Sequence, residues 1–241
     1  MRIESRLRGA VRHFWETRAD QKQRQGSESG LRDHGNRGAA TGGKQLDGFV
    51  QLFADLLIES GMPEAHVHTQ KSQTTLPGFF RPTKQWDLVV VHEGNLVATI
   101  EFKSQVGSFG NNYNNRIEEA LGNALDLHTA YREGYFKPSA SPWLGYLMML
   151  QESPKSTRPI KAKEPHFEVH EEFRGSSYVK RYEEFCTRLV RERLYNSACL
   201  VTSNRSQGLK GWYREPSEEI SFQRFVGSLL GHVSGYLKVI R

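Results

Sequence analysis

Cysteine is scarce in this 241-residue sequence: Cys186 and Cys199 are the only two, too few for a disulfide framework. That scarcity excludes stapled secreted scaffolds and fits a reducing cytoplasm. No apolar run approaches the ~20 residues of a membrane span. The opening MRIESRLRGAVRHFW lacks the uninterrupted apolar core of a secretory signal. There is no glycine-rich loop ending in Lys-Ser/Thr, which argues against ATP-driven action. The nine histidines show no His-Asn-His spacing, and His166 and His170 lack the glutamate spacing of a metalloprotease helix. His66-x-His68 has no cysteine or third histidine beside it. Internal repeats are also lacking.

What is present is basic charge, unevenly placed. The net charge is +6, and residues 1–44 hold ten Lys/Arg against five Asp/Glu, which is +5 of that total. A basic arm attracts a polyphosphate partner by counterion release. Ile3, Leu7, Ala10, Val11, Phe14 and Trp15 recur at three- and four-residue steps, predicting a helix over roughly 2–24. Six glycines follow in 26–43, with Arg32, His34 and Arg37, which reads as a loop, either a plain linker or an arm that orders on DNA. Phe49, Leu52, Phe53, Leu56 and Leu57 mark a second helix that Gly61 and Pro63 end.

Beyond it the pattern changes to strands. Residues 66–69, 88–91, 96–102, 143–150 and 197–203 are strand-like, and the stretch 73–85 is punctuated by prolines and a glycine. A helix capped by Asn114 or Asn115 is expected through Arg132, with Ile117, Ala120, Leu121, Ala124 and Leu125 inward. Two more helices follow, around 179–190 and after Ser221. The fold class is therefore α/β, a mixed central sheet flanked by helices with basic decorations at both ends. One domain spans 1–241. It comprises an N-terminal helix (1–25), a glycine-rich basic arm (26–46), a core (47–152) and an elaboration for DNA binding or dimerisation (153–241).

The most informative segment is Trp86–Lys103, WDLVVVHEGNLVATIEFK. Side chains alternate along a strand, so Glu101 and Lys103 share one face while Phe102 points into the core. With a three-residue turn at 93–95, paired positions sum to 188 and Asp87 lies opposite Glu101. A two-residue turn would pair Asp87 with Phe102 unless a bulge restored the approach. Directly opposed Cβ atoms lie ~4.5–5.5 Å apart, near enough for two carboxylates to share one hard cation. Such a pair argues for a metal or a raised pKa, and the Lys103 ammonium completes a set suited to phosphodiester hydrolysis. The bland alternative is a salt bridge at a strand edge.

Trp86-Asp87 followed by Glu101-Phe102-Lys103 resembles the PD-(D/E)xK nuclease motif, with tryptophan in place of proline. The flanking text TLPGFFRPTKQWD (75–87), EFKSQVGSFGNNYNNRIEEALG (101–122) and KQLDGF (44–49) resembles the type II restriction endonuclease family of XhoI. The likeness is strongest over 75–136 and thinnest in 1–43 and the last forty residues. It implies a Mg²⁺-dependent homodimer that cuts palindromic double-stranded DNA. For that group the site is CTCGAG, cut after the first C to leave four-base 5′ overhangs, with a methyltransferase protecting the host genome. The metal ligands implied are Asp87, Glu101 and the backbone carbonyl of Phe102, and the catalytic amine is Lys103. Asp47 is a possible accessory acid or simply a helix cap. Arg81, Lys84, Asn111, Asn112, Asn114, Asn115 and Arg116 are candidate DNA contacts, set against a plain turn and helix cap for the asparagine run. Glu118 and Glu119 join the metal shell or simply favour a helix N-terminus. Two rivals stay open at this point: a repair or junction nuclease of the same core, and a non-catalytic DNA-binding protein.

Overall fold

The structure, a computed structural model, describes residues 3–28 and 44–240, with side chains described over 3–21 and 44–240. Residues 29–43, most of the expected glycine-rich arm with Arg32, His34 and Arg37, lie outside the described residues. Residues 26–28 belong to helix α1 (Ile3–Glu28), which is longer than its apolar stripe predicted. Leu7, Ala10, Val11, Phe14 and Trp15 of that stripe are buried, whereas Ile3 is exposed. Helix α2 (Asp47–Glu59) follows a 3-10 turn at Lys44–Leu46 and buries Phe49, Leu52, Phe53, Leu56 and Leu57.

Five strands form one mixed sheet in the order β1 (Val67–His68), β4 (Leu88–His92), β5 (Asn95–Gln105), β6 (Trp143–Gln151), β7 (Ser197–Ser203). Strands β1, β4 and β5 are antiparallel neighbours, and β5, β6 and β7 run parallel. Parallel neighbours need crossovers, and two helices supply them, α3 (Phe109–Arg132) and α4 (Tyr178–Arg191). Helix α5 (Phe222–Val239) closes the chain, with Ser221 Oγ accepting from the Arg224 amide at its start. Helices α1, α2 and α5 pack with Leu88, Val90, Ile100, Phe102, Leu147 and Val201 in one core. Helices α3 and α4 pack with Trp86, Val89, Tyr146, Met148 and Leu200 in the other. The boundary expected at 152 falls inside this architecture, since β7 and α5 complete the sheet and one of its two cores.

Three local expectations need correction. The stretch 75–85 is a small hairpin, β2 (Thr75–Pro77) on β3 (Thr83–Gln85), despite its prolines. Its tip is held by the Asp126 carboxylate, which accepts from the Phe79 and Phe80 amides, each at 2.8 Å, and from Arg81 Nε at 2.7 Å. A Cβ on Gly78 would lie 2.7 Å from both the Arg81 carbonyl oxygen and Asp126 Oδ2, so this tip requires glycine. Helix α3 begins at Phe109, nearly two turns before the predicted asparagine cap, after Ser108 in the left-handed region at φ 45°. Buried Phe109 and Tyr113, one turn apart, anchor that early start on the second core. The inward face of α3 runs through Tyr113, Ala120, Ala124 and Leu127, and Leu121 and Leu125 are exposed. Each lies one residue, about 100° of helix rotation, past an inward alanine.

The interior strand β6 also constrains sequence. A Cβ on Gly145 would meet Trp143 at 2.4 Å and Phe225 at 2.6 Å. Gly145→Ala is expected to destabilise the fold by about 1–3 kcal/mol through overpacking. Thermal unfolding checks this, and an unchanged melting temperature would contradict the packing described.

Candidate active site

The hairpin β4–β5 turns through Glu93 and Gly94, both at positive φ (48° and 75°), so the turn has two residues. His92 pairs with Asn95 and Val91 with Leu96. The register then shifts between Val90 and Val91, so that Val90 pairs with Ala98 and Leu88 with Ile100. The short turn thus replaces the expected three-residue one, and the bulge restores the 188 sum. Asp87, one residue before β4, consequently faces the Glu101–Phe102 segment, and the Phe102 amide donates to Asp87 Oδ2 at 2.8 Å.

Glu101 is 2% exposed and carries two lysines. Lys103 Nζ lies 2.6 Å from one carboxylate oxygen and Lys84 Nζ 2.9 Å from the other. A buried carboxylate demands such partners. Lys84, expected on phosphate, lines the cleft and also donates to the Gln85 carbonyl at 2.6 Å, 4.5 Å above the Trp86 ring. Trp86, where the motif usually has proline, is therefore a platform for a second ammonium. Glu119 reaches Lys103 at 3.7 Å and Arg116 at 2.6 Å. It stands well inside α3, which removes the helix-terminus reading for Glu118 and Glu119 alike.

The titration behaviour follows from this packing. Burial, then the Glu101 charge, push the Asp87 carboxyl up to about 6, against the Phe102 amide, Lys103 and Lys84. Burial works against the Lys103 ammonium, but Glu101 outweighs it and the pKa is raised. At neutral pH Lys103 is thus a cationic hydrogen-bond donor rather than a proton acceptor.

These groups line a cleft of about 910 Å³. Arg18 of α1, Gln45 and Asp47 form one side, and Asn111, Asn112, Asn115 and Arg116 of α3 another. Asn114 is exposed outside it. Asp47 is the first residue of α2 rather than its cap, and its carboxyl is raised, mainly by burial. Arg81 is turned to structure, donating to Asp126 and, at 2.8 Å, to Asn123. Unlike Lys84, it does not line the cleft.

Sequence reasoning overlooked Gln105, which follows Glu101 and Lys103 on the same strand face at two-residue spacing. Its buried amide donates to the Gly107 and Ser108 carbonyls and accepts from Tyr182 Oη. It ties the end of β5 to the start of α3 and to α4.

The set fits a divalent ion. Asp87 and Glu101 offer carboxylate oxygens, and the Phe102 carbonyl leaves β5 on the same edge as its amide. No group of three or more His, Cys, Asp or Glu side chains able to hold a metal gathers among the described residues. A magnesium-like ion suits that scarcity, because it retains waters and binds through one or two carboxylates plus substrate phosphate.

Comparison with known proteins agrees with this chemistry. The family described as restriction endonuclease XhoI matches residues 23–215, more than half of the chain. The chain is 51% identical to the type II restriction enzyme BstVI of Geobacillus stearothermophilus over 209 residues, covering 84% of this chain and 93% of that one. It is 47% identical to the type II restriction enzyme AbrI of Azospirillum brasilense over 165 residues, 68% of this chain and 73% of the other. It is 41% identical to the type II restriction enzyme XhoI of Xanthomonas vasicola over 187 residues, 75% and 72% of the two. No solved structure matches it.

Proposed function

The chain belongs to the XhoI family of restriction endonucleases, and on that premise we propose that it hydrolyses both strands of duplex DNA at a short palindrome, with Mg²⁺ as cofactor. The observation that carries this reading is the convergence of Asp87, Glu101 and Lys103 at one end of the cleft. Family resemblance supports CTCGAG as the site, cut after the first C to leave 5′-phosphates and four-base 5′ overhangs.

When bound at Asp87, Glu101 and the Phe102 carbonyl, the ion supplies a water of lowered pKa and neutralises charge on phosphate. The protein does the rest. Asp87 and Glu101 hold the charge density that recruits the ion. Lys103, kept cationic by Glu101, donates to the attacking water or the phosphate oxygen as negative charge builds in the transition state. Lys84 supports Glu101 from the other side. Asn111, Asn112, Asn115 and Arg116 line the path the strand would take, with amide and guanidinium groups suited to base edges and phosphate.

A palindrome calls for two copies related by a two-fold axis. Exposed Phe79, Phe80, Leu121, Leu125 and Tyr135 offer apolar surface for that pairing. The Phe79 ring meets Phe80 at 4.9 Å and Tyr135 at 6.3 Å, and the Asp126 bonds fix this tip to the helix that carries Leu121 and Leu125. Phe80→Glu combined with Leu125→Glu is expected to halve the molar mass measured by light scattering. A dimer of undiminished mass would rule this surface out. Both cysteines are free and buried, which supports action in the cytoplasm. There a partner methyltransferase would protect the host's own sites.

The test is a Mg²⁺-dependent digest of plasmid DNA with the ends sequenced. Discrete bands ending in 5′-TCGAG support the proposal. Preference for branched or mismatched DNA would favour a repair enzyme. Binding without scission would favour a non-catalytic protein.

A further inference from the structure

The apolar stripe of α1 contains a charge. Leu7, Val11, Phe14 and Trp15 are buried, and Arg18, three residues after Trp15 and four after Phe14, continues the same face. Arg18 is only 8% exposed and lines the cleft that holds Asp87, Glu101 and Lys103. Its guanidinium lies 5.9 Å from the Phe14 ring, and among the described residues no carboxylate pairs with it. Burial alone lowers its pKa, with no acid opposing that shift.

An arginine so placed is expensive to keep, because most of its side chain has left water and no acid among the described residues partners its charge. Even the exposed Arg81 is held by a carboxylate, that of Asp126; the more deeply placed Arg18 has none among the described residues. Beside Arg18 on the same wall, Gln45 is 4% exposed and its Oε1 has no hydrogen-bond partner among the described residues. Two buried polar groups thus wait on the cleft wall built from α1 and the turn before α2. That wall stands on the opposite sheet face from α3, which carries the candidate DNA contacts already named.

We propose that Arg18 binds a backbone phosphate of the DNA, so that α1 closes the second side of the substrate cleft. This rests on the DNA-cleaving reading of the same cleft. The planar fork of the guanidinium matches two phosphate oxygens, and incoming anion would replace the hydration that burial removed. Gln45 would then meet a donor on the adjacent nucleotide or a bridging water.

The experiment measures fluorescence anisotropy of a labelled 20-base-pair duplex containing CTCGAG, with Ca²⁺ in place of Mg²⁺, in a Lys103→Ala background whose cutting is already slowed. Adding Arg18→Met keeps the apolar stem and removes the charge. Affinity is expected to fall roughly ten- to a hundredfold. The slope of log K against log salt is expected to shrink by about 0.9 per subunit. Thermal stability without DNA should be unchanged or higher, since an unpaired buried charge is gone. Wild-type affinity and salt slope in the Met variant would overturn the proposal, as would a drop in stability that accounts for lost binding. If Arg18→Met does not fold, Arg18→Lys decides. A phosphate contact predicts severalfold weaker binding at unchanged salt slope, whereas binding like the parent overturns it. Failure of the Lys103→Ala parent to bind the duplex would instead refute the DNA-cleaving reading itself.

Discussion

Lys103→Ala is expected to slow DNA cleavage by about a hundred- to a thousandfold, the range for removing one donor aimed at developing charge. Duplex binding should persist, because the basic and amide groups along the cleft are untouched. Glu101→Ala is expected to abolish cutting and also to weaken the fold. Lys84 and Lys103 both lean on that carboxylate, at 2.9 and 2.6 Å. Removing it strands two half-buried ammonium groups. Breaking a buried pair from one side costs about 3–5 kcal/mol, and partial exposure of Lys103 puts the cost near 3. That corresponds to a fall of about 6–12 °C in melting temperature for a chain of this size. Single-turnover cleavage of a labelled duplex, with unfolding curves for each variant, checks both. Wild-type rates in the two variants would remove Glu101 and Lys103 from the chemistry.

The second large effect concerns pH. The Asp87 carboxyl, pushed up to about 6 by burial and then by Glu101, stays protonated in the fold above the pH at which the unfolded chain releases its proton, about 4. Between those values the folded state holds the extra proton, so stability is full below pH ~4 and declines as pH rises through about 6. Solvent at the cleft screens part of this, which leaves about 1–2 kcal/mol in metal-free protein at pH 8. Asp87→Asn keeps an oxygen to accept from the Phe102 amide and removes the charge. The variant is expected to melt about 2–8 °C above the native protein at pH 8 in chelator, and level with it at pH 4. It should not cleave DNA. A variant melting below the native protein at pH 8 would contradict this account of the site. The opposing trend, ion binding that strengthens as Asp87 ionises, makes Mg²⁺ protect the native protein more at pH 8 than at pH 5.

Much of this was legible in sequence because it rests on periodicity. Two-residue alternation put Glu101 and Lys103 on one face, and continuous apolar runs marked β4, β5, β6 and β7. The Asp87 approach was read only as a pair of alternatives, since a bulge at Val90 and Val91 leaves no residue signature there. Lys84 escaped because its contact with Glu101 depends on a hairpin folding back over the sheet, a long-range event. The start of α3 was obscured by asparagines that favour caps and turns, although Phe109 and Tyr113 at four-residue spacing carried the signal. Leu121 and Leu125 were assigned inward on hydrophobicity alone, and helix phase turned them out. Arg18 was visible in principle as a charge at an apolar stripe position, but only burial without a partner gave it meaning.

The central claim is that Asp87, Glu101 and the Phe102 carbonyl together hold the ion that cuts DNA. It is tested most directly by a crystal structure of the Lys103→Ala protein with a CTCGAG duplex and Mg²⁺. The account predicts an ion about 2.0–2.1 Å from oxygens of all three residues and from a scissile phosphate. DNA seated in the cleft with the ion bound elsewhere, or with Asp87 and Glu101 turned away from it, would contradict it.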